Sequence, residues 1–225
     1  MLRAIVFDFD GVIANSEPLH FQAFRHVLAD EGVTLTEPDY YAHYLGFDDV
    51  GVFQALTAAG GLGWAPADIA DLVARKAVRL EALERDVSIL FPGAAAAIRR
   101  AAAAMPIAIA SGARGAEIRR VLDREDLAAC FAAIVAVEDT RVSKPSPDPY
   151  LRAVTLLAHR FADGLAASDC IAIEDSHWGL ESARAAGLRT VGVSQTYEAA
   201  MLTGADLIIP SLEALDLTVL SRLCS

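Results

Sequence analysis

The chain has 225 residues, 54% hydrophobic and 22% charged, a composition that suits one large packed domain, or a core with a smaller companion, and excludes a disordered chain. Nineteen basic residues against thirty acidic ones give a formal net charge of −11, which argues against a nucleic-acid or anionic-membrane partner. No apolar run is long enough to span a bilayer, because Arg99 and Arg100 interrupt the best candidate, 94–111.

In chain order, the first element is the apolar run Ala4-Ile5-Val6-Phe7, closed by Asp8-Phe9-Asp10-Gly11. Residues two apart share a face of an extended strand, so the run predicts a buried parallel strand that delivers two acids to its carboxyl end. Open α/β sheets bind ligands at that end. Adjacent carboxylates repel unless a cation or a shared proton separates them. A divalent metal, with one acid as nucleophile and the other as proton carrier, is the economical explanation.

From 16 to 86 no strand is predicted. Helical stretches at 19–31, 49–59 and 66–85 are broken by Gly32, Gly46 and the run Gly60-Gly61-Leu62-Gly63. No Lys-Ser/Thr follows that run, so it is not a P-loop. The block reads as a small helical cap domain, 16–86, inserted into a core of 1–15 and 87–225, with hinges near 14–18 and 86–92. Beyond it, strand-like runs at 107–110, 133–137, 171–173, 190–193 and 207–209 alternate with helical patterns at 94–104, 116–124, 149–159 and 179–186. Alternation of this kind predicts a mostly parallel sheet with helices on both faces. Cys130, Cys170 and Cys224 have no metal-ligand spacing, and no signal peptide precedes the first strand; reduced thiols and a cytoplasmic location are expected.

Four motifs fall at or just after predicted strand ends: Asp8-Phe9-Asp10-Gly11-Val12-Ile13, Ala110-Ser111-Gly112, Ser143-Lys144-Pro145-Ser146-Pro147 and Ile173-Glu174-Asp175-Ser176. Each alone is ordinary; a Ser-Gly after a strand is commonly a turn or a helix cap. In this order they converge on one crevice. The set resembles the haloacid dehalogenase (HAD) superfamily of phosphatases, specifically the β-phosphoglucomutase/phosphoglycolate-phosphatase-like branch with a helical C1 cap after motif one. The resemblance covers essentially the whole chain and implies a Rossmann-like α/β core with that cap inserted.

Carried over residue by residue, the resemblance implies that Asp8 takes the phosphoryl group as an aspartyl-phosphate. Asp10 protonates the leaving group and then deprotonates the attacking water. Ser111, with nearby backbone N–H groups, holds the transferring oxygens, and Lys144 neutralises the phosphate and Asp8. Mg²⁺ is implied as cofactor, held by the Asp8 carboxylate, the Asp10 carbonyl and Asp175, with Glu174 either supporting the metal through a water or contributing to its site. The implied phosphate or substrate contacts take in Gly11, Gly112, His20, Gly46 and Lys76. His20 reads equally as a helix-surface histidine, and Lys76 as a solvated charge beside Arg75 and Arg79.

Leu45-Gly46-Phe47-Asp48-Asp49 sits where the mutases of this branch carry a basic loop that grips a second phosphate. Gly46 matches it; Leu45 and Asp49 stand where lysine and arginine are expected. The departure favours a phosphatase acting on a small phosphorylated metabolite, of the sugar-phosphate or phosphoglycolate type. A phosphohexomutase is the alternative enzyme, and a catalytically silent phosphate-binding protein the alternative outside catalysis. A phosphonatase lacks its Schiff-base lysine between Phe7 and Arg75, and a dehalogenase does not need Asp10. A receiver domain is much shorter and has no helical insertion. A monomer is expected.

Overall fold

The computed structural model describes residues 1–45, 47–85, 87–161 and 163–224. The chain divides into two compact units, Met1–Asn15 with Ile89–Ser225, and Ser16–Ser88.

Among its described residues the first unit holds a six-stranded sheet in the order β3-β2-β1-β4-β5-β6. Its strands are β1 (Ala4–Phe7), β2 (Ile107–Ala110), β3 (Phe131–Val135), β4 (Cys170–Glu174), β5 (Arg189–Val193) and β6 (Leu207–Ile209). Every pairing is parallel. The three central strands, β1, β2 and β4, are buried at every position. This is why they appear in the sequence as apolar runs rather than alternating ones, with Glu174 at the end of β4 the exception. Ala4 and Val6 pack on one face with Tyr150, Ala153, Val154 and Leu157 of a helix, α7 (Asp148–Ala158). Ile5 and Phe7 point to the other face and are equally buried. The third strand starts at Phe131 and stops at Val135; Val137 opens a short 3₁₀ turn instead of ending the strand as predicted.

The chain leaves and re-enters this unit side by side. The Asn15 N–H donates to Ile89 O (2.7 Å) and the Phe91 N–H donates to Ile13 O (3.0 Å). The predicted boundary at Asp86 lies outside the described residues.

The second unit is helical among its described residues: α1 (Glu17–Asp30), α2 (Glu37–His43), α3 (Asp49–Gly60) and α4 (Pro66–Glu84). Phe21, Phe24 and Leu28 recur at helical spacing on α1 and bury with Val52, Phe53 and Leu56 of α3 and Ile69, Leu72 and Val73 of α4. Asp48 caps α3 by accepting from the Gly51 N–H (2.7 Å). The seven-residue α2 is not among the predicted helices.

Candidate active site

The sheet order reverses around β1: β2 lies on one side of it and β4 on the other. A crevice opens outside the carboxyl ends of strands at such a switch point. The Asp8 N–H donates to Ile173 O (2.9 Å), carrying the β1–β4 ladder one residue past the strand. Glu174 closes β4 and Asp175 follows it. Asp8, Glu174 and Asp175 are all buried, and each brings a carboxylate oxygen within 4.8 Å of the others.

Lys144 enters this acidic group from the loop before α7. Its Nζ lies 2.8 Å from Asp8 Oδ1 and 2.7 Å from Glu174 Oε1. The approach to Asp8 is a close ion pair on a buried carboxylate oxygen. Burial alone draws the Lys144 ammonium down, but the charges of Asp8 and Glu174 outweigh it and hold its pKa above the ordinary lysine range. Burial pushes Glu174 up, with Lys144 opposing and Asp8 adding. Burial, then Asp8 and Glu174, raise Asp175 well above the usual carboxylate range. Three acids thus face one ammonium. Their donors are hard oxygens, the kind Mg²⁺ binds, and a cation among them would offset the repulsion that burial amplifies. The residues therefore fit a divalent ion.

The remaining motif residues are placed as follows. β1 ends at Phe7, so both acids of the first motif follow the strand at its carboxyl end. Asp10 is half-buried in a tight turn where the Gly11 N–H donates to Ala14 O (2.9 Å). Gly11 has φ +75°, and a Cβ there would land on the Asp175 carboxylate; both the left-handed backbone and the close approach require glycine. Ser111 follows β2 and is buried, with its Oγ accepting from the Ala113 N–H (3.0 Å). Gly112 is exposed, with open space where a side chain would stand.

In the helical unit Lys76 is fully buried, not solvated. Its Nζ donates to Asp49 Oδ1 (2.7 Å), lies 2.8 Å from His20 Nδ1, and sits 4.8 Å from the centre of the Phe24 ring. Burial, then the neighbouring Lys76 charge, hold the His20 pKa well below the histidine norm. The neutral ring therefore accepts from Lys76 through Nδ1. Beside them the Tyr40 hydroxyl donates to Glu17, whose own pKa burial raises. Gly46 lies outside the described residues.

Three side chains at the core site were not singled out from the sequence. The Tyr150 hydroxyl donates to Glu174 Oε1 (2.6 Å). The Thr196 hydroxyl bonds Asp175, and Gln195 Nε2 donates to the carbonyls of Gly11 (3.2 Å) and Val12 (3.3 Å). None of them carries a signal in a single sequence. Only the sheet order brings the loop after β5 to the turn after β1.

The family model for haloacid dehalogenase-like hydrolases matches residues 5–193. The chain belongs to that family. Protein CbbY of Rhodobacter capsulatus is 35% identical over 223 residues, covering 95% of each chain. The fructose-1-phosphate phosphatase YqaB of Escherichia coli K12 is 28% identical over 189 residues, covering 84% of this chain and 95% of that one. The crystal structure of a CbbY mutant from Rhodobacter sphaeroides in complex with xylulose-1,5-bisphosphate superimposes with a TM-score of 0.82 at 28% identity, covering 96% of both chains. This family member has the family's parallel α/β sheet, and among its described residues no helix is long and apolar enough to cross a membrane.

Proposed function

We propose that the protein is a Mg²⁺-dependent phosphatase that hydrolyses a small phosphorylated metabolite through an aspartyl-phosphate on Asp8. The observation that carries this reading is the buried group of Asp8, Glu174 and Asp175 around Lys144 at the carboxyl ends of β1 and β4. Phosphoryl transfer spreads charge over three oxygens, so catalysis is chiefly positioning and neutralisation. When bound, Mg²⁺ supplies charge neutralisation for the phosphoryl oxygens, with Asp8, Asp175, the Asp10 carbonyl and Glu174 as its candidate holders.

An Asp8 carboxylate oxygen forms the new P–O bond as the ester P–O bond breaks. Asp10 gives its proton to the departing alkoxide. Lys144 offsets the negative charge on Asp8 that would otherwise repel the phosphate. Ser111 and the N–H groups of its turn hold the equatorial oxygens. Water then attacks phosphorus, Asp10 takes its proton, and the bond to Asp8 breaks to release phosphate.

Substrate choice is assigned to a helical cap domain, 16–86, through His20, Lys76 and Gly46. The Lys76 charge is offset by Asp49, which leaves it ill suited to gripping a second phosphate. A monophosphate is favoured over the two-phosphate exchange a mutase needs. The compartment proposed is the cytoplasm and the proposed state a monomer.

The test is phosphate release from phosphoglycolate, hexose phosphates, pentose bisphosphates and an aryl phosphate, with and without Mg²⁺. Metal-dependent release that falls by about 10⁴-fold or more in Asp8→Asn supports the reading. Conversion of β-glucose 1-phosphate to the 6-phosphate without net phosphate release would replace it with the mutase. Full turnover by Asp8→Asn would remove Asp8 as nucleophile.

A further inference from the structure

The Glu174 carboxylate is fully enclosed, and its two oxygens are treated differently. Oε1 accepts from Lys144 Nζ (2.7 Å) and from the Tyr150 hydroxyl (2.6 Å). Oε2 receives the Ser176 hydroxyl at 3.3 Å, a weaker contact. Behind the carboxylate stands Gly179 of α8 (His177–Ala185), where an added Cβ would land on the Glu174 carboxyl group. Tyr150 is fully buried near the start of α7, its ring among the core residues of β1, β2 and β4. Lys144 Nζ also lies 5.3 Å from the centre of that ring. One side chain therefore touches both the lysine and the acid: its ring face meets the ammonium and its hydroxyl meets the carboxylate.

We propose that Tyr150 is a positioning residue that commits Oε1 of Glu174 to Lys144 and so leaves Oε2 as the oxygen offered to a divalent cation beside Asp8 and Asp175. The proposal rests on the metal reading of that site. The terminal torsion of a glutamate is broad and two-fold, so nothing intrinsic to the side chain distinguishes its oxygens. Lys144 alone does not fix the choice, because the same ammonium also serves Asp8. A second donor on Oε1, directed by a ring locked in the core, makes the two orientations unequal. Because the phenol is uncharged, it does so without cancelling the negative surplus that would attract the cation. Partners that orient ligands in this way commonly alter metal affinity more than they alter the fold.

The experiment is calorimetric titration of Mg²⁺ into metal-stripped wild type, Tyr150→Phe, Gly179→Ala and Leu157→Ala, with kcat and KM measured for the best substrate at saturating Mg²⁺. Tyr150→Phe keeps the ring and its packing and loses only the hydroxyl. It should bind Mg²⁺ about tenfold more weakly, keep the metal-free melting temperature and KM, and regain kcat as Mg²⁺ is raised. Gly179→Ala, which crowds the same carboxylate, should weaken Mg²⁺ binding as well. Leu157→Ala in the same helix should lower the melting temperature without changing Mg²⁺ affinity. Wild-type Mg²⁺ affinity in Tyr150→Phe would overturn the positioning role while leaving the metal reading intact. No Mg²⁺ binding by the wild type would overturn the metal reading, and the proposal with it.

Discussion

At the scale of single residues, the buried polar clusters take opposite approaches to charge. The core site keeps three acids against one ammonium, a surplus suited to a cation. In the helical unit Lys76 meets Asp49 and a neutral His20, with Glu17 and Tyr40 alongside. This balanced cluster makes a prediction about pH. His20 has a folded pKa well below 6.5 because burial and Lys76 disfavour its charged form, so below about pH 6.5 the unfolded chain binds a proton that the folded chain refuses. Stability from this group is therefore full above that pH and falls as the pH drops toward the folded pKa, by at most about 1.4 kcal/mol per pH unit. Glu17, raised by burial, acts in the opposite direction, so the measurement is a difference. Urea unfolding of wild type and His20→Gln at pH 8 and pH 5.5 should show the variant losing less stability on acidification. Equal losses would mean that His20 is protonated in the folded protein.

At the scale of elements, what the sequence revealed depended on how local the cause was. β1, β2 and β4 are buried on both faces, so their residues are apolar up to Glu174 at the end of β4, and the strands stand out without any tertiary information. The acids after β1 and β4 were equally legible as candidates, since a short chain distance separates them from those runs. α2 was not: it has seven residues, a proline in its first turn and only Tyr40 buried, too little periodicity to register. The parts of the candidate site that stayed hidden are long-range. Tyr150 and Glu174 are 24 residues apart, and Lys76 and Asp49 are 27 apart. Asp49 was visible only as a misfit in a loop expected to be basic, and its contact with Lys76 explains why an acid sits there. α7 carries a prediction of its own. Leu157 is fully buried in the same cluster as Tyr150 and the inward side chains of β1 and β2. Leu157→Ala should cost about 2–5 kcal/mol, the range for a large-to-small change in a packed core. Thermal or denaturant unfolding would show it, and a loss well under 1 kcal/mol would mean that the helix collapses onto the sheet without strain.

At the scale of the whole molecule, a chain of net charge −11 has to bind a phosphate ester that is itself an anion. The local remedy is confined to Lys144 and to a cation held by the acids around it. Beyond a few ångströms the approaching ester meets the field of thirty acidic residues against nineteen basic ones, and that field repels it. Inert salt screens such repulsion: the Debye length falls from about 30 Å at 0.01 M to about 10 Å at 0.1 M ionic strength. With Mg²⁺ held at saturation, so that weaker metal binding does not intrude, kcat/KM should rise as sodium chloride is added over that range, while kcat stays level because the bound complex no longer feels the long-range field. A fall in kcat/KM would mean that the positive charge at the crevice mouth outweighs the molecule's acidic surface and steers the substrate in.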